Sequence, residues 1–200
     1  MGFLDSILGR TKPKQADLDA LFQVPSAAIT LQASLGLVPT GDGAVCYRAA
    51  AGPAFADTQA GVLDLLRAAT DAPEVRVTTD GFGFTWLEVD HPPYDAQTSD
   101  LGGLCTDLHA VNTTLEVNGF GTALLCTLVP FADSAGRRVG LVYLYKQGTF
   151  YPFAPVDDGA GGEQRRDDLL EIQVRDALNG DLRLEADRQR WLALWGAPGL

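Results

Sequence analysis

The chain has 200 residues and a mass of 21.3 kDa, a size at which roughly 70% of the unfolded surface can be buried, so one domain or two small ones can fold without disulfides or a structural metal. Its 15 Lys and Arg against 26 Asp and Glu leave a formal charge of -11 and a pI near 4.4, which excludes a broad nucleic-acid surface because phosphate binding needs clustered cations. With 46% hydrophobic and 20% charged residues it is neither disordered nor fibrous.

Residues 1–10 place Phe3, Leu4, Ile7 and Leu8 at helical spacing, with Gly9 and Pro13 ending the pattern. Arg10, Lys12 and Lys14 follow, so residues 1–14 carry three cations against Asp5, a net +2, whereas residues 15–200 carry 12 against 25, a net -13. This charge step divides the chain into an amphipathic basic segment, 1–14, and a single α+β domain, 15–200.

Within the domain a short helix is expected at 16–22, ended by Val24-Pro25. Residues 28–38 read as a strand, 39–43 as a turn and 44–50 as its antiparallel partner. Phe55, Gln59, Val62, Leu63, Leu66 and Ala69 share one face of a helix at 54–69, which Gly61 weakens. Strands at 75–79 and 82–89 flank Asp80-Gly81, whose glycine can supply positive φ for a hairpin. A helix at 99–118 carries Leu101, Leu104, Cys105, Leu108, Val111 and Leu115 at steps of three and four, with Gly119 as its C-terminal cap. Two strands at 122–130 and 138–146, apolar on both faces, belong near the middle of a sheet, and a last helix spans 164–178.

The pattern is three successive strand-strand-helix units, which predicts an antiparallel sheet with helices mainly on one face. Leu63, Leu66, Leu104, Leu108, Leu115, Leu125, Leu128, Leu141, Val142 and Leu144 are expected to share one core. No apolar run approaches the ~20 residues that span a bilayer and no signal peptide is legible, so a cytoplasmic setting is expected, with the inner face of the cell membrane as a peripheral contact.

Few residues suggest chemistry. The imidazoles are His91 and His109; Asp107 and His109, two apart on a helix, point in different directions, and no second histidine at i+4 completes a zinc pattern. Cys105 and His109 are one helical turn apart, but Cys105 lies on the apolar stripe, where a nucleophile cannot meet a substrate. Cys46, Cys105 and Cys126 sit in apolar stretches without a C-x-x-C pair and read as buried thiols. Neither Gly41-Asp42-Gly43 nor residues 159–162 has the spacing of a phosphate loop. The expectation is a protein that is not an enzyme, with no catalytic residue, metal or cofactor. The aromatic run containing Phe150, Tyr151 and Phe153, and the tail containing Trp191 and Trp195, admit two readings: an interaction surface, or a plug at the edge of the core.

Several longer segments are more particular: residues 1–5, 25–31, 106–112, the run 143–155 (YLYKQGTFYPFAP) and the terminal WGAPGL. Together they resemble the PspA-associated PspAB family of actinobacteria, along the whole chain, and the abundance of Arg over Lys suits a bacterial genome rich in G and C. The resemblance implies a cytoplasmic accessory of the phage-shock, or envelope-stress, system that works with a PspA-like membrane-stress protein; it carries over no catalytic residues. On this reading Phe3, Leu4, Ile7, Leu8, Arg10, Lys12 and Lys14 dock on an anionic membrane or a partner groove, the alternative being that they pack on the protein's own body. The function expected is a non-enzymatic adaptor; a small-ligand or lipid-binding module with a pocket between sheet and helices is the alternative.

Overall fold

The computed structural model describes residues 17–68, 70, 72–91, 101–156 and 164–200. Among these, four α-helices and a seven-stranded antiparallel sheet form the α+β fold predicted from the sequence. A 3-10 turn, Leu18–Gln23, leads into α1 (Val24–Leu35), then β1 (Val38–Pro39), β2 (Asp42–Tyr47), α2 (Pro53–Arg67), β3 (Glu74–Thr79), β4 (Thr85–Asp90) and α3 (Leu101–Leu115). β5 (Leu124–Ala132), β6 (Arg138–Leu144) and β7 (Thr149–Phe153) follow, and β8 (Pro155–Val156) pairs with β9 (Arg165–Arg166) in a separate small ladder before α4 (Asp168–Leu178). The sheet runs β3-β4-β2-β5-β6-β7, with β1 also against β5.

The main correction concerns residues 28–38, expected as a strand and folded as most of α1. Pro25 does not stop a helix here. It lies in the first turn of one, where its missing N–H has no intrahelical partner to lose. The buried positions Val24, Ala27, Ala28 and Leu31 have the i, i+3, i+4, i+7 spacing of a helix, not the alternation of a strand. Gly36 ends it at φ 69, giving its N–H to the Gln32 and Leu31 carbonyls while the Leu37 N–H reaches back to Leu31, a left-handed closure that glycine adopts without strain.

The expected hairpin of 28–38 with 44–50 therefore does not form. β1 and β2 both run antiparallel to β5, with Val38 opposite Ala132 and Cys46 opposite Cys126, so residues between them kink the chain without reversing it. The β3–β4 hairpin forms as expected, Thr79 opposite Thr85, but its positive φ falls on Gly83, not Gly81. Asp80 sets that turn, accepting bonds of 2.9 Å from the Phe82 and Phe84 N–H groups at one oxygen. Gly119 adopts φ 86 just past α3, as its capping role requires. β5 and β6 are buried on both faces and pair from Cys126–Leu144 to Ala132–Arg138.

The single core expected from sequence is in fact two, one on each face of the sheet. Leu66, Leu104, Leu108, Leu115 and Leu141 belong to the helix-covered face, with Leu63 packed at its edge. Leu128, Val142 and Leu144 lie on the opposite face, with Leu125 at its margin. The side chains of a strand alternate between faces, so a strand apolar throughout must feed two layers. On the first face α3 comes very close to β2: a β-carbon on Gly43 would stand 2.8 Å from Leu108 Cδ1. There the buried Asn112 amide donates to the Leu108 carbonyl and, at 2.9 Å, to the Thr127 hydroxyl of β5, joining helix to sheet.

Candidate functional site

The second face is covered by the segment that follows α4, whose regular structure is one 3-10 turn, Arg188–Arg190. Trp191 anchors it. Its indole N–H donates to the Glu185 carbonyl at 2.9 Å and its ring stacks on Tyr151, centroids 6.0 Å apart, while the Tyr151 hydroxyl donates to the Leu192 carbonyl. Arg166 ties the tail to α4, giving Nε to Glu171 at 2.8 Å and Nη1 to the Trp191 carbonyl at 2.7 Å, with its guanidinium over the Phe153 ring.

Between this tail and the β3–β4 hairpin runs an apolar groove of about 560 Å³. Its floor is a row of side chains, one from each of four adjacent strands: Trp86 opposite Cys46, Cys46 opposite Cys126, and Cys126 opposite Leu144. Phe82 and Phe84 make one wall, Leu192, Leu194 and Trp195 the other, and Lys146 and Gln147 of the β6–β7 turn close one end. Phe82 is 76% exposed and Leu192 59%, so both walls present apolar edges to solvent. Asp80 lies at the hairpin lip; burial pushes its carboxyl up, but bonds from the Trp86 indole and from the Phe84 and Phe82 N–H groups outweigh that and hold it below the ordinary carboxylate range.

The structure separates the aromatics expected as an interaction surface. Phe150, Tyr151, Phe153 and Trp191 are buried: Phe150 faces the helices, and the other three build the second core. β7 is a strand, and its alternating side chains are consumed by the two layers rather than displayed. Trp195 alone of the five is partly open, packed edge-on to Phe153 in the groove wall. Phe3, Leu4, Ile7, Leu8, Arg10, Lys12 and Lys14 lie outside the described residues. Phe82, Phe84 and Trp86 were legible as an i, i+2, i+4 aromatic row on one face of a strand; the opposed cysteines were not, since strand order decides which residues meet.

The other candidate groups serve as ties between elements. His91 Nε2 meets Asp107 at 2.8 Å, joining the end of β4 to α3, and His109 meets Asp19 at 3.3 Å with its ring 4.9 Å from Phe22. Asp107 and His109 do point apart. Cys105 is buried among the helices. Among the described residues no group of three His, Cys, Asp or Glu is placed to hold a metal ion, and no helix is long and apolar enough to cross a membrane.

A family model described as PspAB, PspA associated protein B, matches residues 1–199. No curated protein and no solved structure matches the chain.

Proposed function

The chain belongs to the PspAB family, and from that premise we propose that it is a non-enzymatic adaptor in a membrane-stress response, bringing a PspA-like protein to or away from the inner face of the membrane. The observation that supports a docking role is the groove, an apolar channel with Phe82 and Leu192 exposed on its facing walls. Exposed apolar patches on a soluble surface mark contacts with other molecules more often than chemistry. Both histidines, meanwhile, are engaged by carboxylates that fasten one element to another.

The basic segment 1–14 adds a second contact. Its four apolar side chains offer roughly 1.5 to 3 kcal/mol each on burial, much of which is offset by ordering a short free helix at the moment of binding. Arg10, Lys12 and Lys14 add about 1 kcal/mol each at an anionic bilayer, against repulsion of the -13 remainder. Docking is weak and reversible. Deleting residues 1–14 should leave the melting temperature nearly unchanged while removing co-sedimentation with anionic vesicles and with the PspA protein of the same genome. Unchanged association, or a large loss of stability, would return the segment to the protein's own core.

A second reading uses the same groove, whose volume is within the range of small-ligand sites: a lipid-like molecule held between the sheet and the tail. The pocket expected from sequence lay between sheet and helices; the groove is on the opposite face. Native mass measurement of the purified chain distinguishes the two, since a retained acyl-chain ligand favours this reading over the adaptor.

A further inference from the structure

Cys46 and Cys126 are directly opposed on adjacent antiparallel strands, point to the same face and line the groove floor. Opposed residues in such a pair have Cα atoms about 4.5 to 5.5 Å apart, inside the range that a disulfide bridges. The register changes immediately after Cys46, an irregularity that bends the strand and increases its twist there. Both residues are nearly covered, at 3% and 6% exposure, yet they border the open groove, whereas Cys105 is fully buried on the helix-covered face. The Cys126 thiol is raised well above its ordinary value by its hydrogen bond with Cys46, then by burial and by electrostatic interaction with the same neighbour.

We propose that this groove is a reactive dithiol site that takes an apolar organic hydroperoxide and records it as a Cys46–Cys126 disulfide. The walls of Phe82, Phe84, Leu192, Leu194 and Trp195 select an apolar oxidant over a water-soluble one, because only the former gains by leaving water. One of the two sulfurs attacks the terminal peroxide oxygen, the O–O bond breaks and the alcohol departs with that thiol's proton, leaving a sulfenic acid. The other sulfur then displaces that hydroxyl as water, its own thiol proton leaving with it, and the S–S bond forms. Two thiols and one hydroperoxide become one disulfide, one alcohol and one water. The event is stoichiometric, and a thiol reductant reverses it. In a reducing compartment a transient disulfide of this kind is a signal rather than a staple. The inference does not depend on the adaptor reading, since it concerns what the groove floor does and not what docks above it.

The test uses the full chain, reduced and folded, exposed separately to cumene hydroperoxide and to hydrogen peroxide at equal concentration, then denatured, alkylated and weighed. The expected product has lost two hydrogens and two of three alkylatable thiols, maps to a Cys46–Cys126 cross-link, and forms roughly tenfold or more faster with the apolar oxidant, as burial of its ring in the groove implies. Equal or slower reaction with cumene hydroperoxide, or a cross-link or adduct involving Cys105, overturns the proposal. Cys46→Ser and Cys126→Ser should each abolish the cross-link and leave on the remaining cysteine of the pair a sulfenic acid that dimedone traps; the wild-type mass assay stands even where a variant does not fold. Trp86, beside Cys46 on the floor, reports the same event as loss of fluorescence that a reductant restores.

Discussion

One sheet carries two unlike coverings. On its first face amphipathic helices seal a core that extends from Leu18 to Leu182, and the polar tie inside it, Asn112 to Thr127, is uncharged. On the second, an irregular tail held chiefly through Trp191, Tyr151 and Arg166 covers part of the sheet and leaves the groove beside it. Helices present a continuous stripe every turn, so they close the face over the central strands, and only the edge strand β3 stays exposed. A tail without regular structure touches the sheet where a large side chain anchors it, and the space between anchors stays open.

Removing one large side chain from each face tests that contrast most strongly. Trp191→Ala should cost about 3 to 5 kcal/mol, the usual loss for a buried tryptophan, and should expose residues 192–200 to proteolysis under native conditions. Leu108→Ala should cost about 2 to 5 kcal/mol without that local sensitivity, because α3 is held along its whole length. Urea denaturation with limited proteolysis reads both effects. A loss under about 1 kcal/mol for Trp191→Ala would mean that the tail, and hence the groove, is loosely placed.

Acid should separate the faces next. Glu185 on the tail side is buried, which pushes its carboxyl up, but the Asp187 N–H, the Thr149 hydroxyl at 2.9 Å and Arg190 outweigh that and hold it below its ordinary value of 4.5. A carboxyl whose folded pKa is depressed stabilises the fold above its unfolded value, and that contribution is lost as pH falls through the folded one. Below about pH 4.5 the aromatic circular dichroism of the Trp191 region should therefore fade before helix signal does. Glu185→Gln should be less stable than the parent at pH 7 and indistinguishable from it at the acid end; an equal difference at both would assign the residue a packing role instead.

The smallest effect belongs to the helix layer and has the opposite sign. Gly61 lies within α2, and a β-carbon there would meet nothing within 4 Å. Gly61→Ala should stabilise by about 0.5 to 1 kcal/mol through helix propensity alone, seen as a higher urea midpoint with an unchanged slope. A destabilised variant would place an unseen neighbour on that face.

Local pattern was enough for α2 and α3 and for α4 from Asp168 onward, whose apolar residues recur at helical steps, and for the β3–β4 and β5–β6 hairpins, where turn residues separate two apolar runs; residues 165–166, expected inside the last helix, instead pair in β9, and Asp167 caps the helix after them. The antiparallel α+β class follows from those elements alone. Residues 24–35 escaped because Ala, Ile, Thr and Leu suit either state, and Pro25 marks the start of a helix or the end of one according to which side is buried. The aromatics of β7 announced apolar surface without saying that two cores would take it. Which strand lies beside which was settled by tertiary pairing: β2 is inserted between β4 and β5, and that insertion joins Trp86 and Cys46 to the Cys126–Leu144 pair of the β5–β6 hairpin in one row. Strand order is fixed by burial summed over the whole sheet, a quantity that no local stretch of sequence contains.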